Sequence, residues 1–287
     1  MKSIDGLVNL QRQFASHPLT CNAPLKAWAR FASWQLRSRL QHEIVFQWIA
    51  GQRLAVQRGM TGATQNIYVG LHEFPDMMLL LHFLRKDDLF LDVGANVGSY
   101  TVLASGVCGA ETWAFEPDQN TLRQLEQNIN LNGLDALVTV HQCALGAEQG
   151  EVAFTVGRDA TNRIASANDR NVRMTRLERL DNVIGCSDPI MIKLDVEGAE
   201  QGVLEGANAL LANRSLKVVE LETVTSESAD ILKRNEFEQA FYDPFDHELT
   251  REPIDLKSSN TLFVRDWPFV AGRLAGAKKI EIFGREI

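Results

Sequence analysis

The chain has 287 residues, 45% of them hydrophobic and 23% charged, enough for one large α/β domain with an extension or for two small domains. A formal net charge of −8 argues against a general nucleic-acid binder, which normally presents a basic face. No run approaches the ~20 apolar residues of a membrane span, so no transmembrane segment is expected.

Between Asp5 and Glu43 there is no acid, while Arg12, Lys26, Arg30, Arg37 and Arg39 are all cationic. From Leu25 to Leu40, Leu25, Trp28, Phe31 and Trp34 recur every third residue, the spacing of an amphipathic helix with aromatics on one side. Such a helix either packs on its own domain or a second copy, making a homo-oligomer, or docks peripherally on a membrane; the aromatics favour packing. Met1 to Ala15 lacks the apolar core of a signal peptide. Glu43 to Arg58 reads as a hairpin turning near Ala50-Gly51, and Gly62 to Phe74 as a linker. Pro75 opens a helix with Met77, Met78, Leu80, Leu81 and Leu84 on its apolar side. His72 and Glu73, just before it, can reach over the sheet, although His72 and His82 are read as structural. These features divide the chain into an N-terminal extension, 1–66, and a main domain, 67–287.

Strand and helix then alternate: strand Phe90–Val93, helix Ser99–Val107, strand Thr112–Glu116, helix Gln119–Asn130, strand Leu137–Gln142. An extra hairpin, Gly150–Gly157 with Val172–Leu177, stands where the next helix is due, and its polar loop, Arg158 to Arg170, is expected to overhang the site. Strand Pro189–Asp195, helix Gly198–Ala212, strand Leu216–Glu220, helix Ser226–Arg234 and strands Ala240–Tyr242 and Thr261–Val264 complete it. The rhythm predicts an α/β fold with a mostly parallel, doubly wound sheet.

The chain is organised around Asp92-Val93-Gly94-Ala95-Asn96-Val97-Gly98-Ser99, a strand that ends in a glycine-bearing turn and enters a helix. Open α/β sheets bind nucleotides at such a turn. A dinucleotide wants G-x-G-x-x-G, but Asn96 replaces the middle glycine and no third glycine follows. Asp92 is unhelpful beside a pyrophosphate and suits the amino group and sulfonium of S-adenosylmethionine. One helix and one strand later, Glu116 of Phe115-Glu116-Pro117 can accept both hydroxyls of an adenosine ribose. A second cluster, Lys193-Leu194-Asp195-Val196-Glu197-Gly198-Ala199-Glu200, puts three acids at another strand end. Asp195 and Glu197 are candidates for the acceptor side, whereas Glu200 reads as a helix-capping acid. Glu222 can line the same cleft, and His247, in a loop, is a further candidate base. The carboxylates could alternatively hold a divalent cation. The histidines show no H-x-x-x-H spacing, so no metal site is expected, and Cys21, Cys108, Cys143 and Cys186, without a C-x-x-C pair, read as reduced thiols of a cytoplasmic protein.

In order, D-V-G-A-N-V-G-S-Y-T from Asp92, F-E-P from Phe115, A-L-G from Ala144, Leu180-Asp181 and K-L-D-V-E-G-A-E from Lys193 resemble the FkbM family of S-adenosylmethionine-dependent methyltransferases over about two-thirds of the chain. The resemblance implies a class I methyltransferase (Rossmann-like) fold and O-methylation of a hydroxyl on a sugar, polysaccharide precursor or secondary metabolite. It puts S-adenosylmethionine against Asp92, Gly94, Asn96, Gly98 and Glu116, with Ala95, Ser99, Pro117 and Ala144 in the same motifs, and the acceptor near Asp195, Glu197 and Glu200. Two other readings compete with it. One is a nicotinamide dehydrogenase; the other is a non-catalytic binding module docked to a membrane or partner by its N-terminal helix.

Overall fold

The computed structural model describes residues 4–157, 161–166 and 168–287; residues 158–160 and 167 of the predicted overhanging loop lie outside the described residues. The chain opens with helices α1 (Ile4–Ser16) and α2 (Pro24–Leu40), a hairpin of β1 (Glu43–Gln47) and β2 (Arg53–Gln57), and helices α3 (Thr61–Val69) and α4 (Phe74–Phe83). Then follow β3 (Leu89–Val93), α5 (Ser99–Val102) running into a π-turn, β4 (Glu111–Phe115), α6 (Gln119–Asn132) and β5 (Val138–His141). Next come β6 (Ala144–Leu145), β7 (Gly150–Thr155), β8 (Val172–Glu178), α7 (Leu180–Ile184), β9 (Met191–Leu194), α8 (Glu200–Glu205), α9 (Asn208–Ala212) and β10 (Val218–Leu221). The chain ends with α10 (Ser226–Arg234), β11 (Glu238–Asp243), β12 (Glu248–Thr250), β13 (Thr261–Val264), α11 (Trp267–Ala275), β14 (Glu281–Ile282) and β15 (Arg285–Glu286).

Eight strands form the central sheet in the order β12-β11-β13-β10-β9-β3-β4-β5. The five from β10 to β5 run parallel; β13 pairs antiparallel with both β10 and β11, and β12 antiparallel with β11. The chain winds outward from β3 to β5 and returns to β9 on the other side of β3. The crevice between the ends of β3 and β9 is therefore the topological switch point, where such sheets bind ligands. The predicted extra hairpin is a separate three-stranded sheet, β6-β8-β7.

Alternation along the buried strands explains the two main cores. Phe90, Met191 and Val218 face α4 and α11, while Leu91, Ile192 and Val219 face the layer that includes α8, α9 and α10. A third cluster joins Leu10, Phe14, Trp34, Ile44 and Leu54 to Val97, Val102, Leu125 and Ile129. The N-terminal aromatics turn inward, as favoured: Trp28 meets Phe14 edge-on at 5.3 Å and Phe31 meets Tyr68 at 5.3 Å.

Two local expectations need correction. Residues 62–74 are not a linker, because 61–69 form α3, a helix that also spans the expected boundary at residue 66. Its half-polar sequence, T-G-A-T-Q-N-I-Y-V, hides a helix whose Ala63, Tyr68 and Val69 are buried. The single helix expected over 198–212 is two, because the chain breaks at Gly206-Ala207. There the carboxylate of Asp181 accepts the amides of Ala209 and Leu210 and starts α9. Gly206 is also pressed so close to the Gly146 carbonyl that a Cβ would stand 2.1 Å from its oxygen. No described helix is long and apolar enough to cross a membrane.

The same substitution should thus have opposite signs at two glycines. Gly206→Ala should lose about 2–3 kcal/mol in urea denaturation through overpacking. Gly272→Ala, in α11 with nothing within 4 Å of the new methyl, should gain about 0.5–1 kcal/mol.

Candidate active site

The turn after β3 is held to the end of β4 by its own amides. The N–H groups of Gly94 and Ala95 both donate to the Phe115 carbonyl at 3.0 Å, and that of Asn96 donates to Glu116 Oε2 at 3.1 Å. Val97 N–H donates to Asn96 Oδ1 at 2.7 Å, and Gly98 N–H to the Ala95 carbonyl at 2.9 Å. Five consecutive amides therefore have protein partners, and the turn offers no amide cradle for a pyrophosphate. The glycines answer to packing. At Gly94 (φ 82°) a Cβ would stand 1.9 Å from the Asp195 carbonyl oxygen, and at Gly98 (φ 88°) 2.6 Å from Leu125 Cδ1.

Above this turn lies a cleft of about 360 Å³, within the range of small-molecule sites. Asp92, Gly94, Ala95, Asn96, Ser99, Glu116, Pro117 and Ala144 all line it; Gly98 does not, being turned against α6. Glu116 is fixed at both oxygens, Oε2 by Asn96 N–H and Oε1 by Asp118 N–H at 2.8 Å. Burial pushes its pKa up to about 8 against the pull of those amides. Asp92 is buried at the cleft floor and accepts the Thr101 hydroxyl at 2.6 Å. Burial raises it to about 6, with Lys193 acting against that rise. Cys143, Ala144 and Leu145 add an apolar wall beside Glu116.

The other end of the cleft is ionic. Lys193, 2% exposed in β9, donates to Asp195 Oδ2 at 2.5 Å and stands 4.4 Å from the centre of the Tyr100 ring. The Tyr100 hydroxyl donates to Glu73 Oε2 at 2.7 Å. Burial would drive Asp195 up and Lys193 down; their mutual attraction overrides it and keeps both charged. Glu222 is pushed up to about 8 by burial and by ionised Asp195 beside it, so it keeps a proton that it shares with Asp195. Glu197 also lines the cleft, in the left-handed region at φ 53°, raised by burial and by the neighbouring Asp195. Carboxylate oxygens of Asp195, Glu197 and Glu222 lie within 4.8 Å of one another, with Lys193 supplying a cation at Asp195.

Glu200 does what a capping acid does: its Oε1 accepts the amides of Val196 and Gly198 at 3.2 and 3.3 Å. His247 is not brought to the cleft. It lies in the β11–β12 turn with its ring 4.3 Å from that of buried His82. The histidine that does line the cleft is His72, kept neutral mainly by burial, with Nδ1 unpartnered and Nε2 3.9 Å from Glu73. Glu73 lines the cleft beside it, so both reach over the sheet as expected; Tyr100 and Lys193 line it too and were not singled out as site residues in the sequence. A lysine inside a four-residue buried strand was the available signal for Lys193.

Glu116 and Asp92 take up protons on folding, because their folded values lie above the ordinary 4.5 and 3.8. Such a carboxyl contributes most below its unfolded pKa, and its contribution is lost as pH rises through the folded one. Wild-type melting temperature should therefore fall from about pH 4.5 to about pH 8, and Glu116→Gln should flatten the upper part of that fall. An unchanged slope in the variant would contradict the environment described for Glu116.

The family model for the methyltransferase FkbM domain matches residues 92–246, from the strand-end aspartate through both switch-point turns. The chain is 25% identical over 198 residues to hexuronic acid methyltransferase AglP of Haloferax volcanii, covering 68% of this chain and 74% of that protein. It is 29% identical over 147 residues to methyltransferase 1 of Beauveria bassiana, covering 42% of this chain and 58% of that one. A solved FkbM methyltransferase from Methylobacillus flagellatus superposes with a TM-score of 0.43 at 17% identity, covering 82% of this chain and 59% of that chain. The donor set fits the family's methyl donor, S-adenosylmethionine: a fixed carboxylate for ribose hydroxyls, an apolar wall for a base, and acids rather than free amides near the charged end. By that match, which spans more than half of its length, the chain belongs to the FkbM methyltransferase family.

Proposed function

We propose that the protein is an S-adenosylmethionine-dependent O-methyltransferase whose acceptor is an uncharged hydroxyl of a sugar, a polysaccharide precursor or a related secondary metabolite. The observation that carries the reading is the two-ended cleft, with Glu116 at the β4 end and the Lys193–Asp195–Glu222 group at the ends of β9 and β10. S-adenosylmethionine, when bound, supplies a methyl group already activated by its sulfonium. Glu116 and Pro117 would hold its ribose, Cys143 and Ala144 its adenine, and Asp92, Asn96 and Ser99 would form the floor beneath it.

The remaining work of the chain is alignment and proton handling. Ionised Asp195 accepts the acceptor hydroxyl and aims its oxygen. Glu222 and Glu197 bind neighbouring hydroxyls. His72, neutral at physiological pH, takes the proton as the new bond forms. Thr61 and Gln65 of α3 and Asn162 of the inserted loop also line the cleft, the hydrogen-bonding side chains a sugar needs. AglP is named for a hexuronic acid. In this chain Lys193 at that end is paired with Asp195 and is not free to bind a carboxylate, which favours a neutral hydroxyl as the methylated group. The satisfied amides of the β3 turn weigh against a nicotinamide dehydrogenase.

With a sugar acceptor and labelled cofactor, Asp195→Asn and His72→Gln should each slow methyl transfer by roughly 100-fold while leaving cofactor affinity within roughly threefold. Turnover of Asp195→Asn at the wild-type rate would remove Asp195 from the acceptor site. Glu116→Ala should act on the other side, weakening S-adenosylmethionine binding by roughly 100-fold through loss of the hydrogen bonds to its two ribose hydroxyls.

A further inference from the structure

The aromatics of α2 face inward, but the helix has a second apolar face that nothing covers. Leu25, Ala29, Ala32, Leu36 and Leu40 follow one another at intervals of three or four residues and are all exposed. The three leucines are 81%, 63% and 79% exposed. This straight stripe is the outward side of a helix whose inward side carries Ala27, Trp34 and Ser38.

Charge says what covers it. Lys26 and Arg37 flank the stripe on one side and Arg39 on the other. Residues 6–42 contain no acid, in a chain of net charge −8. Among the described residues neither Lys26, Arg37 nor Arg39 forms an ion pair. The acid nearest in sequence, Glu43, is engaged by the side-chain amides of Gln57 and Gln127. An acidic protein is repelled by an anionic surface everywhere except where its cations are uncompensated. Leucines flanked by such cations match the interface of an anionic bilayer, apolar atoms below and phosphates at the rim.

We propose that the outward face of α2 docks the protein peripherally on a membrane rich in anionic phospholipid. The helix lies flat in the headgroup layer, with Leu25, Leu36 and Leu40 inserted and Lys26, Arg37 and Arg39 at the phosphates. Because α2 packs on α3, which lines the cleft, docking brings the active site to the surface of the bilayer.

The test is co-sedimentation of the full-length protein with vesicles of phosphatidylcholine and phosphatidylglycerol in equal amounts, against vesicles of phosphatidylcholine alone. Wild type should pellet with the anionic vesicles and be released by added salt. Arg37→Gln with Arg39→Gln should weaken partitioning roughly 25-fold, at roughly fivefold per cation. Leu36→Ser with Leu40→Ser should weaken it at least roughly tenfold. Unchanged S-adenosylmethionine binding shows that both variants are folded. Equal behaviour on the two kinds of vesicle would overturn the proposal, as would variants that pellet like wild type. A dimer in sedimentation velocity that Leu36→Ser with Leu40→Ser dissolves, without vesicle binding, would assign the stripe to a second copy of the chain instead.

Discussion

A lysine buried in the middle of the sheet imposes the order of the site. Lys193 lies in register with Asp92 on β3 and with Glu220 on β10, so one row of the sheet reads acid, base, acid. An ammonium taken out of water persists only if paired, and breaking such a pair typically costs about 3–5 kcal/mol. Asp195 provides the direct contact and the Tyr100 ring a second attraction. Glu220, fully buried with neither oxygen hydrogen-bonded, is held well above the usual carboxylate range by burial and by Asp76, so it sits in the row as a neutral acid. The charge of the row is thereby concentrated at Asp92, Lys193 and Asp195, at the strand ends where a ligand meets the sheet.

Close packing sets the distance between the two halves of the cleft. The turn after β3 carries the proposed donor side and the turn after β9 the acceptor side. The α-carbon of Gly94 sits against the Asp195 carbonyl, and Asp195 N–H donates to the Val93 carbonyl at 3.0 Å. The two turns therefore form one unit. The N-terminal helices add to the same unit from outside, since Asn66 of α3 donates to Ser99 Oγ at 3.3 Å and binds the His72 amide at 2.9 Å. That contact carries the N-terminal segment, which has no motif of its own, to the edge of the cleft.

Much of this was legible in the chain because buried parallel strands and switch-point turns leave strong local marks. Phe90–Val93, the Asn96 and Gly98 turn, Glu116 and the Lys193 to Glu200 stretch all lie where apolar runs end in glycine or acid. What stayed hidden was set by contacts distant in sequence. His247 leaves the cleft because the β11–β12 turn packs on His82, whereas His72 and Glu73 reach it as expected, held by Asn66 and the start of α4. The break at Gly206 depends on Gly146, sixty residues earlier. That the amides of Gly94, Ala95 and Asn96 are taken up by the end of β4 appears only once strand order is known. The C-terminal helix α11 carries a weak periodic signal, W-P-F-V-A-G-R-L-A, and is fixed by packing on α4.

The cleft over the β3 turn is built for a sulfonium nucleoside and not for a dinucleotide. Isothermal titration of the pure protein with S-adenosylmethionine, S-adenosylhomocysteine and NAD tests it most directly. One site is expected for each of the first two, and no heat with NAD. Saturable binding of NAD without binding of either sulfur nucleoside would contradict it.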